Sequence, residues 1–123
     1  MTQYFLAAVG AAYLGLAAWC ALAPTQTSKA VGFDLVPGAG QSEFLTVYGG
    51  LELALGVIFI LPLFRPQDAG YALSVCLILH GCLVTFRAAS FALFGGIGAT
   101  TYSLAVSEWI IFLGSVYFST RKG

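Results

Sequence analysis

Four long apolar stretches, each close to the length that crosses a lipid bilayer, leave this chain few choices of fold. A spanning helix needs roughly 20 mostly apolar residues. The stretches run about 4–23, 44–63, 70–92 and 99–119. Pro24 stops the first, Pro62 with Arg65-Pro66-Gln67-Asp68 ends the second, and Gly95-Gly96-Ile97-Gly98 turns between the last two. A membrane β-strand is about 10 residues long with strict alternation. These runs are twice that length and do not alternate, so the barrel reading loses.

Composition agrees. Of 123 residues, 59% are hydrophobic and 8% charged, with mean hydropathy +0.92. A soluble domain carries about 25% charged residues, so the solvent here is lipid. The formal net charge is zero, which gives no basic face for nucleic acid. The expected architecture is all-α: a polytopic integral membrane four-helix bundle, up-and-down. A single membrane domain covers 1–123, with an outward loop at 24–43.

The first stretch ends in Ala21-Leu22-Ala23, which resembles a signal-peptidase site. No positive side chain precedes it, and Pro24 would follow the cut, so it reads as a retained helix. A lipoprotein site at Cys20 is disfavoured by bulky Trp19. Four spans put both termini on one side. Arg65, Arg121 and Lys122 lie on that side, against Lys29 and Arg87 towards the other, so the termini are expected in the cytoplasm.

Cys20, Cys76 and Cys82 fall inside spans and form no CxxC pair. With one histidine in the chain, no metal or other cofactor is expected, and the cysteines read as small packing residues. Gly95-Gly96-Ile97-Gly98-Ala99-Thr100 follows no strand and reads as a turn rather than a dinucleotide loop. Small residues recur at helical spacing: Ala7, Ala11 and Gly15 in the first span, and Gly49, Gly50, Ala54 and Gly56 in the second. Helices in lipid associate by close backbone approach and polar contacts, so these are the expected packing faces.

Glu52 stands near the middle of the second apolar stretch. A charge at the bilayer centre costs about 2.5–3.5 kcal/mol on insertion scales. It should face the bundle and find a partner. The spans offer His80, Arg87 and Glu108. At 1.5 Å per residue, Glu52 and Glu108 lie about 12 and 13 Å below the outward surface, and Arg87 about 5–10 Å. His80 and Arg87, seven residues apart, share one helix face. These groups are expected to meet in one layer, with Arg87 pairing bidentately with a carboxylate, foremost Glu52. The cluster either pins the helices in register or holds the polar head of a lipophilic ligand.

Ser42-Glu43-Phe44-Leu45-Thr46-Val47-Tyr48-Gly49-Gly50-Leu51-Glu52, with Arg87 late in the third span and Ser107-Glu108-Trp109 in the fourth, resembles the bacterial membrane family called domain of unknown function 4345. The resemblance covers the chain from about Pro24 onward. Its most specific part is Glu43, Tyr48, Gly49, Gly50 and Glu52. It implies a four-helix inner-membrane fold similar to the DoxX-like group, with Arg87 and Glu108 as matching positions; Tyr48 is counted with the polar cluster. Where family members carry an acid before the glycine of the last turn, this sequence has Phe94. The resemblance implies no activity.

Glu43 opens the second helix as sequence marks it, where a carboxylate suits the positive dipole end. Val31-Gly32-Phe33-Asp34-Leu35-Val36 reads as a short lid at the membrane surface. The leading function is a small inner-membrane accessory subunit or a binder of a lipid, quinone or isoprenoid. Its partners would be membrane lipid, a lipophilic small molecule, and either its own copies or a larger membrane complex. Alternatives are a membrane enzyme on a lipophilic substrate, isomerase- or oxidoreductase-like, with Glu52, His80 and Glu108 moving protons, and a purely structural subunit. A transporter or proton channel is disfavoured by the scarcity of polar residues in four spans.

Overall fold

The computed structural model describes residues 1–121, and Lys122, counted above towards orientation, lies outside them. Helices dominate, with no strand among the described residues. In lipid every backbone N–H and C=O must be satisfied within the chain, which a helix does by itself. Helix α1 runs Thr2–Leu22 and α2 runs Pro24–Ala30. Helices α3 at Ala39–Leu63, α4 at Pro66–Leu93 and α5 at Ala99–Arg121 complete the fold. Four of these, α1 and α3 to α5, are long and apolar enough to cross a membrane.

Two ends differ from the sequence reading. The segment 24–43 is not all loop: Pro24 occupies the first turn of α2, where a missing N–H costs nothing, and Thr27 and Ser28 are buried. Helix α3 begins at Ala39, ahead of Phe44, because the Gln41 side chain accepts a hydrogen bond from the Gly38 N–H at 3.1 Å. Glu43 therefore sits inside the helix, exposed, and Gln41 is the cap.

Contacts fix the topology. Gly10 lies on Gly56 and Ile60, Leu14 on Gly56, and Ala21 near Gly49. Numbers rise in α1 as they fall in α3, so the two are antiparallel. Likewise Gly81 meets Phe112, Arg87 meets Glu108, and Phe91 meets Tyr102 at 4.9 Å between ring centroids, making α4 and α5 antiparallel. Phe5 stacks on Phe118 at 4.9 Å, which brings both termini to one end. The result is an up-and-down bundle of two close pairs, α1 with α3 and α4 with α5.

The seam of α1 and α3 depends on missing side chains. A Cβ on Gly10 would stand 2.6 Å from Ile60 Cγ1 and 2.9 Å from the Gly56 carbonyl oxygen. One on Gly56 would stand 2.6 Å from Leu14 Cδ2. Gly56 is thus a packing residue as expected, and Gly49 makes ordinary contact with Ala21. Ala11, Gly15 and Gly50 are not packing residues: all three are exposed, and nothing lies within 4 Å of a Cβ built on either glycine. The contact face is set by Gly10 and Leu14, one residue, or about 100° around the helix, out of phase with the expected stripe.

The buried apolar core gathers Leu6, Val9, Phe59, Ala72, Leu73 and Cys76 in the half nearer the termini. Exposed Tyr4, Tyr71 and Tyr117 ring that end, and Trp19, Phe94 and Tyr102 lie at the other. Tyr and Trp at the two ends of the spans are what lipid–water boundaries favour. The remaining half of the bundle holds most of the charged side chains that lie at membrane depth.

Candidate functional site

The guanidinium of Arg87 on α4 donates from Nε to Glu108 Oε2 on α5 at 3.0 Å, and from Nη2 to Oε1. The two side chains are 26% and 13% exposed. This is the fork-to-carboxylate geometry that suits Arg. It corrects the expectation that Arg87 meets Glu52. The antiparallel pairing of α4 and α5 places Glu108 directly beside Arg87, while Glu52 stands across the gap on α3.

Glu52 is the first residue after a π-helical segment, Leu45–Leu51. A π turn carries an extra residue, rotates the helix beyond it, and often occurs at functional sites. Gly49 and Gly50 lie in this segment and leave its backbone free of side-chain crowding. That pair of glycines mid-span was the sequence signal. The Glu52 side chain is partly buried, and its Oε2 is fully buried with no hydrogen-bond partner among the described residues. A buried polar group without a partner costs about 1–3 kcal/mol, more when charged. The carboxylate lies within electrostatic range of Tyr13, Cys20 and Tyr48, yet hydrogen-bonds to none of them.

His80 does not join the layer. It is fully buried and deeper, linking α1 to α4. Its Nδ1 lies 2.8 Å from the Cys76 carbonyl, one turn earlier. A carbonyl only accepts, so Nδ1 carries the N–H and Nε2 accepts from the Tyr13 hydroxyl at 3.0 Å. Ser115 on α5 adds a contact to Cys76 Sγ at 3.2 Å while donating to the Ile111 carbonyl. Tyr13 and Ser115 were missed from sequence. Tyr13 offers a phenol near the middle of α1, and that position was the available signal.

Tyr48 stacks on Phe44 at 4.6 Å, and Phe33 from the connecting segment stands edge-on to both, at 5.9 Å from Tyr48 and 6.3 Å from Phe44. This aromatic trio sits one turn above Glu52. The Tyr48 hydroxyl makes no hydrogen bond among the described residues. Two spaces flank the region. An open apolar groove of about 400 Å³ runs between α1 and α3, lined by Leu14, Ala17, Ala21, Gly49, Gly50 and Leu53. A second, about 440 Å³, lies at the end of the bundle away from the termini, beside Lys29, Ser90, Phe94 and Thr101.

The expected single centre thus divides in three. Arg87 and Glu108 are paired, His80 is engaged by Tyr13 and backbone, and Glu52 stands beside Tyr48 without a partner. Cys20 and Cys76 are buried and Cys82 exposed, all as free thiols. No three His, Cys, Asp or Glu side chains converge among the described residues. No family model, curated protein or solved structure matches the chain.

Proposed function

We propose that this protein is a small multi-pass membrane protein that binds a lipophilic molecule, taking its polar head at Glu52 and its apolar chain along the groove between α1 and α3. The observation that carries this reading is the orphaned Glu52 oxygen. An acceptor left empty at membrane depth is costly, and intramembrane ionisable residues mark ligand or ion sites by default. Gly49 and Leu53, within one turn of Glu52, line the groove, so head and chain sites adjoin.

Binding is favoured over turnover because the other ionisable groups are occupied. Glu108 is held by Arg87 and His80 by Tyr13. A proton relay through Glu52, His80 and Glu108 would need at least two of them free to exchange protons with substrate. The proposal includes the bacterial inner membrane and cytoplasmic termini. Arg65 and Arg121 lie at the termini end, opposite Lys29, and the resemblance to domain of unknown function 4345 points the same way.

The test is purification of wild type and Glu52→Gln from membranes, with mass spectrometry of the co-purifying small molecules. A lipophilic species present at near-stoichiometric level with wild type and depleted with Glu52→Gln is expected. Identical lipid profiles for the two proteins would refute the reading.

A further inference from the structure

The charged side chains at membrane depth do not all pair. Glu52 and Glu108 bring two carboxylates, and Arg87 brings one guanidinium. The other charged side chains among the described residues, namely Lys29, Asp34, Glu43, Arg65, Asp68 and Arg121, lie in links or towards helix ends. His80 is held by the Cys76 carbonyl and the Tyr13 hydroxyl and pairs with neither carboxylate. Arg87 is spent on Glu108 by two contacts. No cation among the described residues pairs with Glu52, and its Oε2 is left without a partner.

We infer that the ligand head is a primary ammonium on a single apolar chain. This rests on the binding reading above and names its chemical class. Two features of the site select that head. A primary ammonium carries three N–H donors and no acceptor, and both free groups here accept: Glu52 Oε2 and the Tyr48 hydroxyl. It also pairs ionically with Glu52, for which no cation is present among the described residues, and a hydroxyl or carbonyl head does not. A quaternary ammonium keeps the charge but loses the N–H donors.

Depth selects the chain. Glu52 lies eight residues beyond Phe44, where the apolar part of α3 begins, or about 12 Å along the axis at 1.5 Å per residue. An ethanolamine phospholipid would have to drag its phosphate to that depth to seat its ammonium. A single-chain amine brings no second charge.

The experiment uses the full chain in nanodiscs of phosphatidylcholine and phosphatidylglycerol, with dodecylamine, dodecanol and dodecyltrimethylammonium as probes and native mass spectrometry as readout. Dodecylamine is expected to bind about tenfold tighter than dodecanol, the trimethyl analogue falling between. Glu52→Gln removes the preference, bringing the amine to the level of the alcohol. Tyr48→Phe, which leaves Glu52 and the Arg87–Glu108 pair in place, lowers amine affinity about threefold and serves if Glu52→Gln folds poorly. Adding phosphatidylethanolamine to the nanodisc distinguishes the source of the ammonium. Unchanged dodecylamine binding supports a free amine, and strong competition overturns the single-chain assignment in favour of the headgroup. Equal binding of amine and alcohol, both weakened by Glu52→Gln, would refute the cationic head and leave the binding site standing. Binding of every probe that ignores both substitutions would remove the site itself.

Discussion

Arg87 on α4 grips Glu108 on α5 through Nε and Nη2 together, and that contact leaves the Glu52 carboxyl on α3 without a cation. The pair does two jobs at once. It ties α4 to α5 across their antiparallel seam, and it determines which acid remains open. In a partly desolvated setting, most of its Coulomb energy offsets the loss of hydration, so it specifies geometry more than it stabilises.

Breaking one side of that pair should therefore be worse than removing both. Arg87→Met or Glu108→Gln alone strands a charge and is expected to cost about 3 kcal/mol, the lower end for a buried pair. Arg87→Met combined with Glu108→Leu should recover much of that loss. Reversible unfolding in mixed micelles gives the comparison directly. Equal losses for the single and double variants would show that the pairing is not what holds the two helices.

The glycines give a sharp contrast on one helix. Gly10→Ala drives a methyl into the Gly56 carbonyl and the Ile60 side chain. Overpacking of that kind costs about 1–3 kcal/mol. Gly15→Ala meets nothing within 4 Å and should be neutral or stabilise by up to about 1 kcal/mol, the helix preference of Ala over Gly. Thermal unfolding of the two variants in the same detergent separates them. A similar loss at both positions would contradict the α1–α3 register.

Tyr13→Phe removes the donor to His80 Nε2 at the bundle centre. Interhelical hydrogen bonds in membrane proteins average about 0.6 kcal/mol and reach about 1.7. Full burial of His80 puts this one at the upper end, about 1–1.5 kcal/mol by the cost of an unsatisfied buried acceptor. Nitrogen NMR of the single histidine should also show its N–H on Nδ1. An Nε2–H tautomer would contradict the assigned donor directions.

Much of the fold was legible because lipid imposes simple rules. Length and apolarity alone marked four helices, and Pro24 and the Gly95–Gly98 turn marked their borders. Packing was less legible. Regular spacing marked Ala11 and Gly15, but the helix face that makes contact depends on crossing geometry, which a single sequence does not encode. The same holds for the polar site. Depth put Glu52, Arg87 and Glu108 at comparable levels, yet depth does not say which helices are neighbours. The antiparallel α4–α5 pair gave Arg87 to Glu108. The π segment before Glu52 was hidden because Gly49 and Gly50 look like any small-residue pair. Tyr13 was overlooked because a phenol in an apolar helix carries no charge to draw notice.

The availability of Glu52 is most directly tested by dicyclohexylcarbodiimide, which reaches carboxyl groups from the lipid phase and spares those held in ion pairs. Protein stripped of bound lipophilic molecules by detergent exchange would be treated at limiting reagent, and the modified residue located by peptide mass spectrometry. Modification at Glu52 with Glu108 untouched is the expected result, and Arg87→Met should open Glu108 to the reagent as well. Preferential modification of Glu108, or none at Glu52, would contradict an unpartnered carboxyl on α3.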